Sequence, residues 1–514
     1  MLAVLLAACF PAHSIDPNTA LDAPDTPSAQ SSAADTEAAK AEAAEGLRWA
    51  QALNGADQSS PPAIFRAGHV TDHPLPEEIV TRSSGRFEIK LPSGAPITTP
   101  AVYEGRLYTS GGFKGKEFYA FDAHTGAPAW GRNLDDDGPS APACDDGVCV
   151  FNTESCTVFA LDAATGEQRW SWWMGDPMLS APAIADGIVY TSYPAGGRSQ
   201  HYDNNSIGGH AGGAAGAPAG ASHVLAALDL QTGELRWQRW IDGDVISSPV
   251  VADGSVHITT FSGTLFTFDA DDGDITAARR GRATSAPTVA NGDLYWSTRS
   301  EEGGDAREGL VAAGQGEGVR YTANERAAPY LDASVQSQTR YADDGMLLDA
   351  GNGFSGGAPA AANAGHALDN VGQGTVSRLQ AYQGSKVLHA FDNNYATMGD
   401  EVVSTDPETG EVRWSVRLDG DLHTAGGFLA APPAKAGALL VVATLRGDVL
   451  LLDPETGAEV RRISIGAPIR SQPLVWEGWL YVGTEDGRLI GVDTGDKALT
   501  GWPMWGGDAA RSGA

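Results

Sequence analysis

The chain has 514 residues, 42% of them hydrophobic, with 64 glycines and 29 prolines, a load that argues against long helices and suits short strands joined by tight turns. Acidic residues outnumber basic ones 65 to 34, giving a formal charge of −31. A surface this negative excludes nucleic acid and anionic lipid headgroups as partners and keeps an exported protein soluble.

Residues 1–9 read as the end of an export signal, short for the apolar core of one, so the natural start is expected further upstream. Leu6-Ala7-Ala8-Cys9 resembles a bacterial lipobox, which marks Cys9 for lipidation; the lipid would then be the sole membrane anchor. No other stretch reaches the roughly 20 apolar residues that span a bilayer. Residues 10–60 are rich in Ala, Asp, Ser and Pro and are expected to form a disordered tether, with a short helix over 34–55 and too few apolar residues to bury.

From residue 61 onward one pattern recurs at about 40-residue spacing: Asp, two variable residues, Thr-Gly, three residues, then Trp. Its full copies are Asp122/Gly126/Trp130, Asp162/Gly166/Trp170, Asp229/Gly233/Trp237 and Asp406/Gly410/Trp414. Weaker copies without the Trp begin at Asp269, Asp453 and Asp493. A small residue and Pro, a Gly turn and an alternating apolar strand precede each copy, as in Ala141-Pro142 to Val150. Asp-Gly and Glu-Gly pairs make tight hairpins, and Asp-x-x-Thr-Gly makes a side-chain-braced turn, so each repeat is a four-stranded antiparallel meander. The Trp on the outer strand needs a neighbouring unit to cover it, which a closed ring supplies.

The span from Asp269 to Asp406 is too long for one unit, and Gly309 to Tyr321 within it resembles a decayed third and fourth strand. The next unit starts near Ser377. The last unit, from Ala467, lacks an outer strand, which Arg86–Leu91 would supply. The expected fold is therefore an all-β, eight-bladed propeller closed by an N-terminal strand, with seven blades as the runner-up, spanning 61–514 with insertions at about 195–223 and 331–374.

The Ala-x-Asp-x-x-Thr-Gly-x-x-x-Trp repeat resembles the tryptophan-docking motif of the PQQ-like (quinoprotein alcohol dehydrogenase-like) family. It also resembles the repeats of the propeller lipoprotein of the outer-membrane β-barrel assembly machine. The segment Trp502 to Gly513 is similar to a terminal signature of such proteins. The first resemblance implies a dehydrogenase using PQQ with Ca²⁺, which needs a metal on the quinone and a nearby carboxylate base. Family dehydrogenases carry two adjacent cysteines over the cofactor; here Cys9, Cys144, Cys149 and Cys156 are all separated. The second resemblance implies a non-catalytic, lipid-anchored outer-membrane scaffold, monomeric, with a protein partner in the envelope. That is the leading expectation; the alternatives are the dehydrogenase and a Ca²⁺- or glycan-binding surface protein.

No catalytic or metal residue is assigned. Cys144 and Cys149 flank the Asp145-Asp146-Gly147 turn, and Cys156 competes as a partner, so one disulfide and one free thiol are expected. His201, His210 and His223 match no ligand spacing, and Asp343–Gly353 resembles a Ca²⁺ loop without its terminal Glu. Asn393, Asn394, Asp400 and Glu401 are further polar candidates near the second insertion.

Overall fold

A computed structural model describes residues 33–55, 68–112, 115–153, 157–174, 180–194, 217–314, 319–328, 383–425 and 427–513. Eight antiparallel sheets form around the ring, six of four strands and two of five. The first strands of the blades are, in order, Ala101–Tyr103, Ala143–Asp145, Ala183–Ala185, Val250–Ala252, Thr288–Ala290, Leu388–Ala390, Ala434–Ala436 and Leu474–Trp476. Each neighbours the next around a ring, and the eighth returns to the first. The seven-bladed alternative is thereby set aside.

Local chemistry explains the hairpins. Glu104-Gly105, Asp146-Gly147, Asp186-Gly187, Asp253-Gly254, Asn291-Gly292 and Glu477-Gly478 all hold positive φ at both residues, the geometry that matches the twist of paired strands. Phe391 and Asp392 adopt it in blade 6 without glycine, which is why that turn carries no sequence signal.

Blade 8 is built from both ends of the chain. Arg86–Lys90 pairs with Arg488–Asp493 and completes its fourth strand, closing the ring. Val80–Ser83 adds a fifth strand there, and Val70–Asp72 a fifth strand to blade 1. The decayed blade 5 is real, and its strands overrun the sequence expectation. The second and third run Asp293–Glu302 and Asp305–Gly314, and the fourth runs Val319–Ala327.

The tether expectation is corrected at residues 33–54. Helix α1 (Ala33–Asn54) matches the expected helix to within one residue, but it is not free: it lies against the outer strands of blades 3 and 4. Its last turns bury Ala50 and Leu53, and Trp49 meets Phe266 at 5.8 Å between ring centroids. Asn54 locks the helix end: its Nδ2 donates to Trp240 O and its Oδ1 accepts from Trp240 N. No helix among the described residues is long and apolar enough to cross a membrane.

Candidate functional site

The repeat residues sit at the joints between blades. Asp122 Oδ1 accepts hydrogen bonds from the backbone N–H of His124 and Thr125 and from the Thr125 hydroxyl, which fixes the turn that places Gly126. Asp162, Asp229 and Asp406 brace their turns through the same two backbone positions. Asp229 also takes a hydrogen bond from Arg236, the main reason its carboxyl lies below the usual carboxylate range.

Each such turn rests on the aromatic ring of the preceding blade. Trp130 Nε1 donates to Ala163 O, and its ring lies where a Cβ on Gly166 would come within 2.6 Å, so glycine is required there, at φ +72°. Trp170 meets Gly233, Trp237 meets Gly273 and Trp414 meets Gly457 in the same way. Tyr321 takes the tryptophan position beneath Gly410, and Phe87, on the closing strand, lies beneath Gly126. Six of the eight joints therefore carry an aromatic ring. At the other two, blade 4 to 5 and blade 7 to 8, Ala277 and Arg461 occupy the equivalent place, and Arg461 donates to Thr494 O.

Cys144 and Cys149 are directly cross-strand in blade 2 and disulfide-bonded, buried beside Phe151 and Phe159. Cys9, Cys156, His201, His210 and the Asp343–Gly353 segment lie outside the described residues. His223 is buried, with Nδ1 against the Ser222 hydroxyl at 2.9 Å. The blade 6 candidates are occupied: Asn394 bonds His389 and Asp400 pairs with Arg417 within the blade, and Glu401 pairs with Arg326 of blade 5.

Sequence reasoning marked Trp502 to Gly513 as a terminal signature without assigning it the centre of the ring. The C-terminal segment crosses it and bonds to the innermost strands. Trp502 exchanges both backbone bonds with Val475 in blade 8, and Pro503 O accepts from Val102 N in blade 1. Ala509 O, Ala510 O and Gly513 O accept from Ile184, Val251 and His389 in blades 3, 4 and 6. Arg511, fully buried, donates to the carbonyls of Trp505, Pro182, Ala141 and Pro142. Lys386, also buried, donates to Arg511 O at 2.7 Å and lies over the Trp505 ring. Burial pulls the Lys386 ammonium down to about 7.

This centre is a poor seat for the divalent ion that a quinone cofactor would need on its carbonyl. It presents cations, Lys386 and Arg511, packed on an indole. The buried carboxylate of Glu308 is engaged by the hydroxyls of Thr284 and Ser385, and Asp244 by that of Ser192. Among the described residues no group of three or more His, Cys, Asp or Glu side chains could hold a metal ion. The described residues therefore supply no ligand set for the Ca²⁺ that PQQ chemistry requires.

Residues 46–198, 208–353 and 398–502, most of the chain, match the family described as "Outer membrane protein assembly factor BamB". The chain belongs to that family. Among curated proteins, the factor of this name from Shewanella oneidensis is 24% identical over 289 residues, 53% of this chain and 67% of that protein. The crystal structure of BamB from Moraxella catarrhalis superposes with a TM-score of 0.51 at 17% identity, covering 82% of this chain and 97% of that one. Sqt1 from Saccharomyces cerevisiae reaches the same TM-score at 8% identity, over 78% and 96%. At these identities the structural likenesses show the fold alone.

Proposed function

We propose that this protein is a non-catalytic, envelope-anchored propeller that binds protein partners in outer-membrane protein assembly. The observation that carries this reading is the family match over most of the chain. The cationic plug at the ring centre supports it, because Lys386 and Arg511 there repel the divalent ion that quinone catalysis needs. Under this reading the blades are a rigid frame and the partner is met on their outer surfaces and loops. Cys9 would supply the lipid anchor, leaving everything after it outside the bilayer.

The deciding experiment is chemical crosslinking in intact envelopes followed by recovery of the full-length protein. Components that assemble outer-membrane β-barrels, or barrel precursors, are expected as specific partners; recovery of none sinks the reading. Incubation of the pure protein with PQQ and Ca²⁺ is expected to give no stable complex. Tight binding with dye-linked turnover of an alcohol would overturn it.

A further inference from the structure

The N-terminal segment follows the rim of the propeller. Helix α1 lies on the outer strands of blades 4 and 3. Gly68 then bonds Ser171 and Gln168 on the outer strand of blade 2. Val70–Asp72 adds to blade 1 and Val80–Ser83 to blade 8. Five consecutive rims are thus occupied by the chain itself. The outer strands of blades 5, 6 and 7 (Val319–Ala327, Val412–Arg417 and Glu459–Ser464) are terminal strands of their sheets among the described residues. The large hydrophobic residues that stand exposed among the described residues are Val319, Val412 and Val460, one on each of these three strands.

Register shows what such an edge offers. Leu418 N donates inward to Asp400 O, so the alternation of an antiparallel ladder turns the backbone groups of Arg417 and Ser415 away from the sheet. Likewise Ile465 N donates inward to Gly447 O, leaving the backbone groups of Ser464 and Arg462 outward. An edge of this kind is a template for another extended segment. Blades 1 and 8 demonstrate the addition, each taking an antiparallel strand that begins Val-Thr.

We propose that the open rims of blades 5 to 7 take up an extended strand of a partner, alternately apolar and acidic, by adding it to the sheet edge. Charge selects this occupant. The three strands carry six arginines and two glutamates, on a chain of formal charge −31. Four of these arginines, Arg320, Arg413, Arg417 and Arg462, pair with carboxylates of their own blades, and pairs as exposed as Arg413–Asp406 and Arg462–Glu459 are weak and exchange partners readily, whereas Arg326 and Arg461 reach into the next blades at Glu401 and Thr494 O. A second copy of this chain would set arginine against arginine and bring two strongly negative bodies together. An acidic strand relieves both. The strand of an unfolded barrel protein has the required alternation, and that assignment of the client rests on the function proposed above; the edge itself does not.

The test uses the full-length protein and a capped synthetic peptide of about six residues alternating Val and Glu, the length of an ordinary strand. Saturable binding is expected, with new amide-exchange protection confined to residues 319–327, 412–417 and 459–464. A peptide N-methylated at alternate residues should bind about tenfold more weakly for each backbone donor it loses. Ser415→Pro, at an outward N–H where proline fits an edge, should abolish protection of 412–417 alone. No protection at these strands, or binding indifferent to N-methylation, overturns the proposal. So does a concentration-dependent dimer that protects the same amides without peptide, since a second copy then owns the edge. Because the probe is a peptide and the protein is pure, failure here leaves the envelope crosslinking result standing.

Discussion

Arg511 brings a charge into the middle of the ring and spends its donors on main-chain carbonyls from three places: Ala141 and Pro142 in blade 2, Pro182 in blade 3, and Trp505 in its own segment. Hydrogen bonds from a charged donor are worth more than neutral ones, and buried carbonyls left without a donor are costly. Arg511→Ala is expected to cost about 3–5 kcal/mol, combining lost donors with a void beside Trp505, and urea unfolding measures it. Lys386 gives a pH signature. An unfolded lysine keeps its proton to about 10.4, whereas the buried one releases it near 7. Between those values the unfolded state binds more protons, so stability rises with pH. The cost of burying the ammonium is full below pH 7 and falls away above it. Urea midpoints at pH 7 and pH 9 should show a rise approaching about 1.4 kcal/mol per pH unit, flattened in Lys386→Met. Lys386 was not legible as important, and Arg511 only as one residue of a terminal signature with no role attached. Asp122, Gly126 and Trp130 belong to a repeat and announce themselves by recurrence, whereas Arg511 and Lys386 occur once and meet across a long stretch of chain.

At the scale of elements, the joints are the units of stability. Replacing Trp170 by Ala removes a buried ring and its bond to Leu230 O, and about 3–5 kcal/mol should be lost. Arg461→Ala, at the joint without an aromatic, should cost less than about 1 kcal/mol, and denaturant melts of the two variants check the contrast. This much followed from the sequence, because Trp, Gly and Asp hold fixed offsets imposed by one turn geometry. The docking of helix α1 did not. Its buried residues are confined to its last turns, and averaging over a polar, alanine-rich stretch hid them. Trp49 meets Phe266 and the Arg280 guanidinium, the latter 5.0 Å from its ring centroid, and Asn54 pins the helix terminus to Trp240. Trp49→Ala is therefore expected to free the helix, read as faster limited proteolysis between residues 33 and 55 with the propeller itself still protected. Unchanged cleavage would mean that the helix is held elsewhere.

The whole molecule is closed twice, once at its rim and once at its centre. Strand Arg86–Lys90 completes blade 8 from the N-terminal side, and that closure was readable because the last repeat lacked an outer strand and an orphan strand stood before the first. The central closure was not, since Trp502–Gly513 forms no repeat and its bonds reach blades 8, 1, 3, 4 and 6 through backbone atoms, which leave no pattern in side-chain identity. The two closures make different predictions. A ring held only at its rim would tolerate loss of the terminal segment, because all eight sheets would remain complete. If the segment is a clasp, truncation after Gly501 removes at least five inter-blade backbone bonds together with the Arg511 cluster. At about 1 kcal/mol for each bond, this approaches the 5–15 kcal/mol that ordinarily stabilises a folded protein. The truncated chain is thus expected to melt well below the intact one and to lose amide protection first in the innermost strands. Arg511→Met, which keeps the backbone bonds, should fall between the two; melting of the truncated chain at the intact temperature would show that the rim closure alone holds the ring.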